Sequence, residues 1–270
     1  MKTYRQFAIV LIMVATFFIH RNAMAAWTNV FVDDFQQFSA GTSLAPLFYT
    51  PTAGYRTDVF TNKVGSSAMA TNVGGNMKAL FNVGVSNNLT YFARLGFNTG
   101  TSSNVVAYSN IGTRVSFDLQ VANTNGGLGA TLISLTDTNS TYLTNSETAL
   151  LGIFDTGLIG IFTNGPGAST FVTIGSFSPG VSYTYMIDWN LFLDVYSISQ
   201  NGIYLTNNVP IPGFLNTTFL DSVGIKFAEN INVGNQFVLD NVIVAIPEPS
   251  LAMILGLGLA AVAFLRRRRA

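Results

Sequence analysis

The sequence predicts an all-β protein: a single β-sandwich or jelly roll between an N-terminal signal peptide helix and a short C-terminal transmembrane helix. Three observations predict this fold class. Alternating apolar and polar residues recur in short stretches through the body, and a period of two is typical of half-buried strands. Glycine, asparagine and proline separate these stretches, as turns do in sandwiches. No body segment carries the apolar stripe of an amphipathic helix.

The first 25 residues have the three-part pattern of a secretory signal peptide. Lys2 and Arg5 precede an uncharged run, residues 7–19, and Ala23 and Ala25 supply the small side chains that a signal peptidase accepts. We therefore expect cleavage after Ala25 or the next residue. The alternative is a retained anchor, which is disfavoured because the run rises only about 20 Å as a helix, less than the roughly 30 Å of a bilayer core.

The body, residues 27–244, contains about a dozen predicted strands in one domain. Alternation is clearest over residues 114–121, where the apolar side chains on one face are Val115, Phe117, Leu119 and Val121. Residues 182–188, 195–199 and 222–228 have the same period, and residues 237–244 have it with an apolar face at Phe237, Leu239 and Ile243. The many phenylalanines and tyrosines are predicted to be core, because aromatic residues on alternating strand positions pack between sheets.

Turn residues mark the connections between these strands. Asn201-Gly202 predicts a tight hairpin, because a type I′ turn needs positive φ at both central residues. Residues 123–129 and 164–167 are rich in asparagine and glycine and are predicted loops.

The composition of the body excludes several classes of site. There is no cysteine, and the one histidine, His20, lies in the predicted signal peptide. Ser-His-Asp and Cys-His catalysis, zinc sites built on thiolate or imidazole, and histidine pH switches are therefore excluded from the mature protein. Between Trp27 and Ile246 there are twelve acidic and six basic residues. This acidic excess disfavours nucleic-acid binding.

The C-terminal segment, residues 247–270, has the physical properties of a short stop-transfer helix. Pro247, Glu248 and Pro249 precede an uncharged run, residues 251–265, which is the predicted transmembrane helix, and Arg266, Arg267, Arg268 and Arg269 follow it. The arginines place that end in the cytoplasm by the positive-inside rule. The run spans only about 22 Å as a helix, so snorkelling arginines and local thinning cover the remainder of the bilayer.

The order of these three parts resembles the PEP-CTERM sorting signal of Gram-negative bacteria. The resemblance implies that the chain is a substrate of an exosortase, an integral-membrane transpeptidase-like enzyme that acts near the Pro-Glu-Pro motif. It also implies that the chain is first anchored in the inner membrane as an intermediate. The protein is then delivered to the cell surface or extracellular matrix of an exopolysaccharide-producing, biofilm-forming bacterium. The alternative is a plain C-terminal anchor with an incidental Pro-Glu-Pro.

A second resemblance covers the body. The opening residues 31–35 (FVDDF) and the closing residues 239–244 (LDNVIV) resemble strands of concanavalin A-like jelly rolls found beside such tails. In those folds the first and last strands pair. That pairing brings Asp33, Asp34 and Asp240 close together, which makes them a candidate calcium site, since calcium binds oxygen ligands only. Residues 137–139 (DTN) are another oxygen-rich candidate, although they lack the glycine and distal glutamate of an EF-hand loop. No other cofactor is predicted.

The sequence assigns no catalytic residue. The body contains only two glutamates, Glu147 and Glu229, and neither belongs to a paired motif such as the Glu-x-Asp-x-x-Glu of the lectin-like glucanases. Asp188-Trp189 places an acid beside an aromatic ring, but it fits equally an aspartate that caps a turn at a strand end, which is the interpretation we favour.

The predicted function is that of an exported, non-enzymatic surface or matrix protein that binds or associates with extracellular polysaccharide. The alternative from another class is a carboxylate-based glycan hydrolase or lyase, which needs two carboxylates roughly 5–10 Å apart on an aromatic-lined face. A third option, a permanently membrane-tethered structural protein, differs only in whether the tail is cleaved.

Overall fold

A computed structural model describes residues 27–45, 47–61, 65–84, 88–94, 112–121, 130–136, 151–154, 156–162, 171–190, 193, 195–210, 222–228 and 235–247. These ranges consist of strands and their connections. None of them includes a helix with the length and apolar character needed to cross a membrane. The predicted signal peptide, the predicted helix 251–265 and the predicted loops 123–129 and 164–167 lie outside the described residues.

The described residues form sixteen strands, more than the dozen or so predicted. In chain order they are β1 (Trp27–Asp33), β2 (Leu47–Tyr49), β3 (Arg56–Thr61), β4 (Ser67–Val73), β5 (Asn76–Val83), β6 (Asn88–Arg94), β7 (Thr113–Val121), β8 (Ala130–Thr136), β9 (Leu151–Phe154), β10 (Leu158–Phe162), β11 (Phe171–Ser176), β12 (Ser182–Asn190), β13 (Val195–Gln200), β14 (Ile203–Pro210), β15 (Ser222–Ala228) and β16 (Asn235–Pro247).

The strands are arranged in two eight-stranded sheets, which confirms the predicted all-β sandwich. Sheet A has the order β14-β13-β12-β7-β16-β5-β4, and β1 also pairs with β16. Sheet B has the order β11-β10-β9-β8-β15-β6-β3-β2. The expected pairing of the first and last strands is therefore confirmed. Residues Asn29–Ile246 form one compact unit, and Met1–Thr28 with Pro247–Ala270 are assigned to a second.

The core lies between the two sheets and is rich in aromatic rings. Phe81 of β5 stacks on Phe227 of β15 with ring centroids 4.3 Å apart, and Phe237 of β16 lies 5.0 Å from the same Phe227 ring. All three side chains are fully buried. Each such burial contributes about 1.5–3 kcal/mol relative to an exposed ring. These contacts join sheet A to sheet B.

Strand β7 confirms the alternation predicted for residues 114–121. Its odd-numbered residues from Thr113 to Val121 are buried and the even-numbered ones are partly exposed. The tight hairpin between β13 and β14 is also confirmed, because Asn201 has φ 50° and Gly202 has φ 79°. Gln200 pairs with Ile203 directly across this turn.

The apolar face predicted for residues 237–244 is correct at Phe237 and Leu239 but wrong at Ile243. The register of β16 on β7 shifts between Asp240 and Ile243, and Asn241 there has φ 49°. An extra residue in one strand moves the following side chains to the other face. Val242 and Val244 therefore point into the core, and Ile243 is only partly buried.

Candidate functional site

Asp33 lies at the centre of a buried hydrogen-bond cluster, which we call the Asp33 cluster. Strand β1 belongs to sheet A, and its Asp33 is fully buried. The carboxylate oxygen Oδ2 accepts hydrogen bonds from three hydroxyl groups of sheet B. These donors are Tyr49 at 2.8 Å, Tyr91 at 2.8 Å and Thr57 at 3.1 Å. One carboxylate thus ties β1 to β2, β3 and β6.

Burial controls the electrostatics of the Asp33 cluster. It raises the pKa of Asp33 above the usual 3.8, although hydrogen bonds from Tyr91, Tyr49, Thr57 and Gln37 oppose the rise. Burial also raises the pKa of Tyr49 and of Tyr91 well above 10.0, and the nearby Asp33 charge adds to both shifts. The tyrosines therefore stay protonated and act as donors. Such an arrangement stabilises the junction of the two sheets.

A second group of polar side chains lies close together on the face of sheet A that points away from the core. We call it the polar row, and its members are Asn76, Lys78, Asp118, Thr184, Asp240 and Asn241. Asp118 lies directly opposite Asp240 on β16 and opposite Thr184 on β12. The inward neighbour Leu119 is buried, so Asp118 and Asp240 project from the other face, because strand side chains alternate.

The irregularity at Asn241 connects the two carboxylates of the polar row. Its backbone N–H donates to Asp240 Oδ1 at 2.9 Å, and its side-chain Nδ2 donates to Asp118 Oδ2 at 2.7 Å. Asparagine tolerates the left-handed conformation better than most residues, which accounts for its place at this irregular position. Thr184 Oγ1 donates to the other Asp118 oxygen at 2.5 Å.

Asp240 is the more enclosed of the two carboxylates, with only 1% of its surface exposed. Its Oδ2 accepts a hydrogen bond from Asn76 at 2.8 Å and forms an ion pair with Lys78 at 3.3 Å. Burial raises the pKa of Asp240; Lys78 and the Asn241 N–H lower it, and the Asp118 charge raises it further. The polar row therefore presents a pair of adjacent acids whose oxygens are held by donors.

The three aspartates of the predicted calcium site occupy different environments. Asp33 points into the sandwich, whereas Asp240 belongs to the polar row on the opposite face of sheet A. Asp34 is partly exposed and accepts from Thr52 Oγ1 at 2.6 Å. Within the described ranges no three acidic or histidine side chains are grouped so that they could hold a metal ion. Calcium binding by these residues stays a prediction, and residues 137–139 lie outside the described part of the chain.

Asp188 and Trp189 do not form a sugar-stacking platform. Trp189 is 2% exposed and faces the core. Asp188 takes two hydrogen bonds from Arg114, at 2.6 and 3.0 Å, directly across β7 and β12. The capping role that we favoured for Asp188 belongs instead to Asn190, whose Oδ1 accepts from the Leu193 N–H at 3.1 Å.

Sequence reasoning missed the Arg114–Asp188 pair and the opposition of Asp118 to Asp240. The predicted assignment of aromatic residues to the core is confirmed for the largest buried side chains, which include Trp189, Tyr91, Tyr185, Tyr196, Phe31, Phe117 and Phe227. Glu147 and Glu229 lie outside the described residues, as do Ala23, Ala25, Glu248, Pro249 and the four terminal arginines. Pro247 is described, and it is the last residue of β16.

Comparison with protein families identifies a sorting signal at the end of the chain. Residues 245–269 match the PEP-CTERM protein-sorting motif. This motif marks an exported protein that is sorted via the membrane. Comparison by sequence with curated proteins gives no match.

Solved structures resemble the body in fold. One is a botulinum neurotoxin type C structure, for which cell entry is described as dependent on interaction with two ganglioside molecules (TM-score 0.52, 10% identity, covering 86% of this chain and 51% of that one). Another is the binding domain of botulinum neurotoxin DC in complex with rat synaptotagmin II (TM-score 0.51, 11% identity, 86% and 52% coverage). A sialidase aligns at TM-score 0.49 and 12% identity, over 80% of this chain and 18% of that one.

These likenesses show the fold alone, because the identities are so low. The chain spans about half the length of the neurotoxin structures that it matches. The sandwich therefore belongs to the same broad architecture as jelly-roll binding domains.

Proposed function

We propose that this protein is exported through the inner membrane, held there by its C-terminal segment, cleaved by an exosortase and delivered to the cell surface or extracellular matrix. The match of residues 245–269 to the PEP-CTERM motif carries this proposal. The order of motif, apolar run and arginines supports it, because that order stops translocation with the body outside. Loss of the cleaved, released form when the arginines are replaced is its test.

The task proposed for the body is non-enzymatic binding of extracellular polysaccharide. The polar row supports this task, since its members other than the enclosed Asp240 present carboxylate, amide, hydroxyl and ammonium groups that are at least partly exposed on one face of sheet A. These groups exchange hydrogen bonds with sugar hydroxyls. The sandwich fold is compatible with glycan binding, but fold likeness by itself is only an analogy.

The rival function is carboxylate-based hydrolysis of a glycan. One observation favours it: Asp118 and Asp240 lie opposite each other, and burial raises the pKa of Asp240 as a general acid requires. Two observations disfavour it. Asp240 is almost completely enclosed, and Asn76, Lys78 and Asn241 already hold its oxygens. The large buried rings next to the row in sheet A, Phe117 and Tyr185, face the core.

Replacing Asp118 with alanine is expected to weaken binding of the protein to polysaccharide from the producing cells about tenfold, since it removes one charged acceptor and frees Asn241. Co-sedimentation with the purified polysaccharide measures the change. Thr173→Ala is the matched control, because Thr173 is exposed on β11 of the other sheet. Unchanged binding by Asp118→Ala would remove the polar row as the binding face.

The same polysaccharide distinguishes the rival function. The wild-type protein is expected to release no reducing ends from it. If reducing ends appear, and if Asp240→Asn abolishes them while binding persists, the body is a hydrolase.

A further inference from the structure

Tyr204 is an exposed aromatic side chain on the same face of sheet A as the polar row. It lies on β14, the strand at one end of sheet A, and 53% of its surface is exposed. Tyr204 pairs with Ser199 of β13, and Ser199 pairs with Met186 of β12. Residues paired across strands share a face, and Met186 lies between the buried Tyr185 and Ile187. The Tyr204 side chain therefore projects away from the core.

A hydrogen bond fixes the direction of the Tyr204 ring. The Tyr204 hydroxyl donates to Asp188 Oδ2 at 3.4 Å, and Asp188 belongs to β12, the second strand from β14. Two strand spacings amount to about 9.6 Å. The side chain must therefore run along the sheet and over β13 to reach that carboxylate, instead of standing upright from the surface.

The residues of β13 beneath this ring are small and buried. Ser197 and Ser199 are on the outward face, because Ser197 pairs with Asp188 and Ser199 with Met186, yet they are only 8% and 0% exposed. Among the described residues Ser199 Oγ has no hydrogen-bond partner, as expected for a hydroxyl that is covered by a ring instead of water. One side of the Tyr204 ring therefore lies against β13, and the other side is open to solvent.

The acceptor that orients the Tyr204 ring is itself fixed. Arg114 donates two hydrogen bonds to Asp188, so the carboxylate stays in place whether or not Tyr204 contacts it. A ring held in this way loses little conformational freedom when a ligand packs on it, which favours binding.

The ring and the polar row are neighbours on this face. Met186, which shares the register row of Tyr204, pairs with Ser116 of β7. Asp118 of the polar row is two residues further along β7. Residues two apart on a strand share a face and are about 6.8 Å apart. An aromatic surface and a set of hydrogen-bonding groups thus adjoin each other.

We propose that Tyr204 is the stacking platform of the polysaccharide site and that its ligand is an uncharged polysaccharide built from pyranose units. The proposal rests on the proposed function, because it identifies the ring and the ligand class for the same face. The face of an aromatic ring carries negative partial charge. A pyranose presents C–H groups on its faces and hydroxyls around its edge, so a sugar stacked on Tyr204 directs edge hydroxyls toward the polar row.

The charge of the body favours an uncharged ligand. Between Trp27 and Ile246 twelve acidic residues exceed six basic ones, so a polyanionic chain is repelled. The basic groups of this face, Lys78 and Arg114, form ion pairs with Asp240 and Asp188. Aromatic stacking and neutral hydroxyl contacts therefore suit the surface better than anion binding.

Two substitutions of Tyr204 test the platform. Tyr204→Ala removes the ring and is expected to weaken co-sedimentation of the full-length protein with polysaccharide from the producing cells about tenfold. Tyr204→Phe keeps the ring and loses only the long hydrogen bond to Asp188, so it should bind within about threefold of the wild type. Ile203→Ala is the matched control, because Ile203 is the next residue, is 71% exposed and projects from the opposite face of the strand.

The outcomes separate the platform from the proposed function. Wild-type binding by Tyr204→Ala would overturn the platform and leave polysaccharide binding by the body intact. Equal losses for Tyr204→Ala and Tyr204→Phe would also overturn it, because the hydroxyl and not the ring would then carry the effect. Failure of the wild-type protein to bind the polysaccharide would overturn both proposals. Unchanged urea midpoints of the variants show that each remains folded.

Anion-exchange separation of the same polysaccharide tests the ligand class. The wild-type protein is expected to sediment with the uncharged fraction, and Tyr204→Ala should lose that binding. Binding confined to the anionic fraction would overturn the assignment of an uncharged ligand, whereas polysaccharide binding itself would stand.

Discussion

Replacing Asp33 with alanine is expected to lower the free energy of unfolding of the sandwich by about 3–5 kcal/mol. The substitution leaves the hydroxyl groups of Tyr49, Thr57 and Tyr91 without their shared acceptor. Each buried hydroxyl without a partner costs about 1–3 kcal/mol. Urea denaturation of residues 27–247, produced without the two terminal segments, measures the loss.

Asp34→Ala is the matched control for Asp33→Ala. Asp34 is the next residue, is partly exposed and bonds to Thr52 at the surface. Its replacement is expected to cost about 1 kcal/mol or less. Equal losses for the two variants would show that the Asp33 cluster does not hold the sheets together.

The pH dependence of stability provides a second measurement on the same residue. Because burial raises the pKa of Asp33 above 3.8, the folded state keeps a proton that the unfolded state has already released. The free energy of unfolding of the wild type should therefore fall as pH rises from 3.8 through the raised pKa. Asp33→Asn lacks this titration, so the wild type should lose stability relative to Asp33→Asn in that window. A difference that does not change with pH would contradict the raised pKa.

Replacing Arg266, Arg267, Arg268 and Arg269 with serine is expected to reduce the cleaved, released form of the protein about tenfold or more. Moving even one arginine to the bilayer centre costs about 2.5–3.5 kcal/mol, whereas serine presents no comparable barrier. Translocation of the serine variant should therefore run to completion, instead of stopping with the Pro-Glu-Pro motif at the outer surface of the membrane. Quantitative immunoblotting of cell fractions measures the released protein, and its intact mass separates the cleaved form from an uncleaved chain that has crossed the membrane.

Lysine at the same positions is the control for the arginine replacement. It keeps the positive charges that the positive-inside rule requires, so near-normal release is expected. If the serine variant is cleaved and released as efficiently as the wild type, the arginines are not needed to hold the motif at the membrane and the proposed sorting route is wrong.

Local features of the fold could be predicted from the sequence, because their causes are local. The alternation of β7 is visible in residues 114–121, and Asn201-Gly202 specifies its hairpin by conformational preference alone. The last strand was predicted with the wrong face after Asp240, since one residue in a left-handed conformation shifts the register. The Asp-Asn pair at 240–241, two turn-forming residues within an apolar strand, was the available signal.

The candidate sites depend on contacts between residues that are distant along the chain. Asn241 donates a hydrogen bond to Asp118, which is 123 positions away in the sequence. Asn76 donates one to Asp240, which is 164 positions away. Nothing in either segment of such a pair specifies the other. For Asp33 the sequence indicates the direction of the side chain but not its hydrogen-bond donors. Its place two residues after Phe31 in a strand puts it on the same face as that ring, but the hydroxyl donors come from three other strands.

The intact mass of the protein in membrane, periplasmic and released fractions tests the central claim most directly. The account predicts a released species that begins at Ala26 or Trp27 and ends near Pro247 to Pro249, without the apolar run and its arginines. A protein found only in the membrane fraction, with Arg266 to Arg269 still present, would contradict it and identify the C-terminal segment as a permanent anchor.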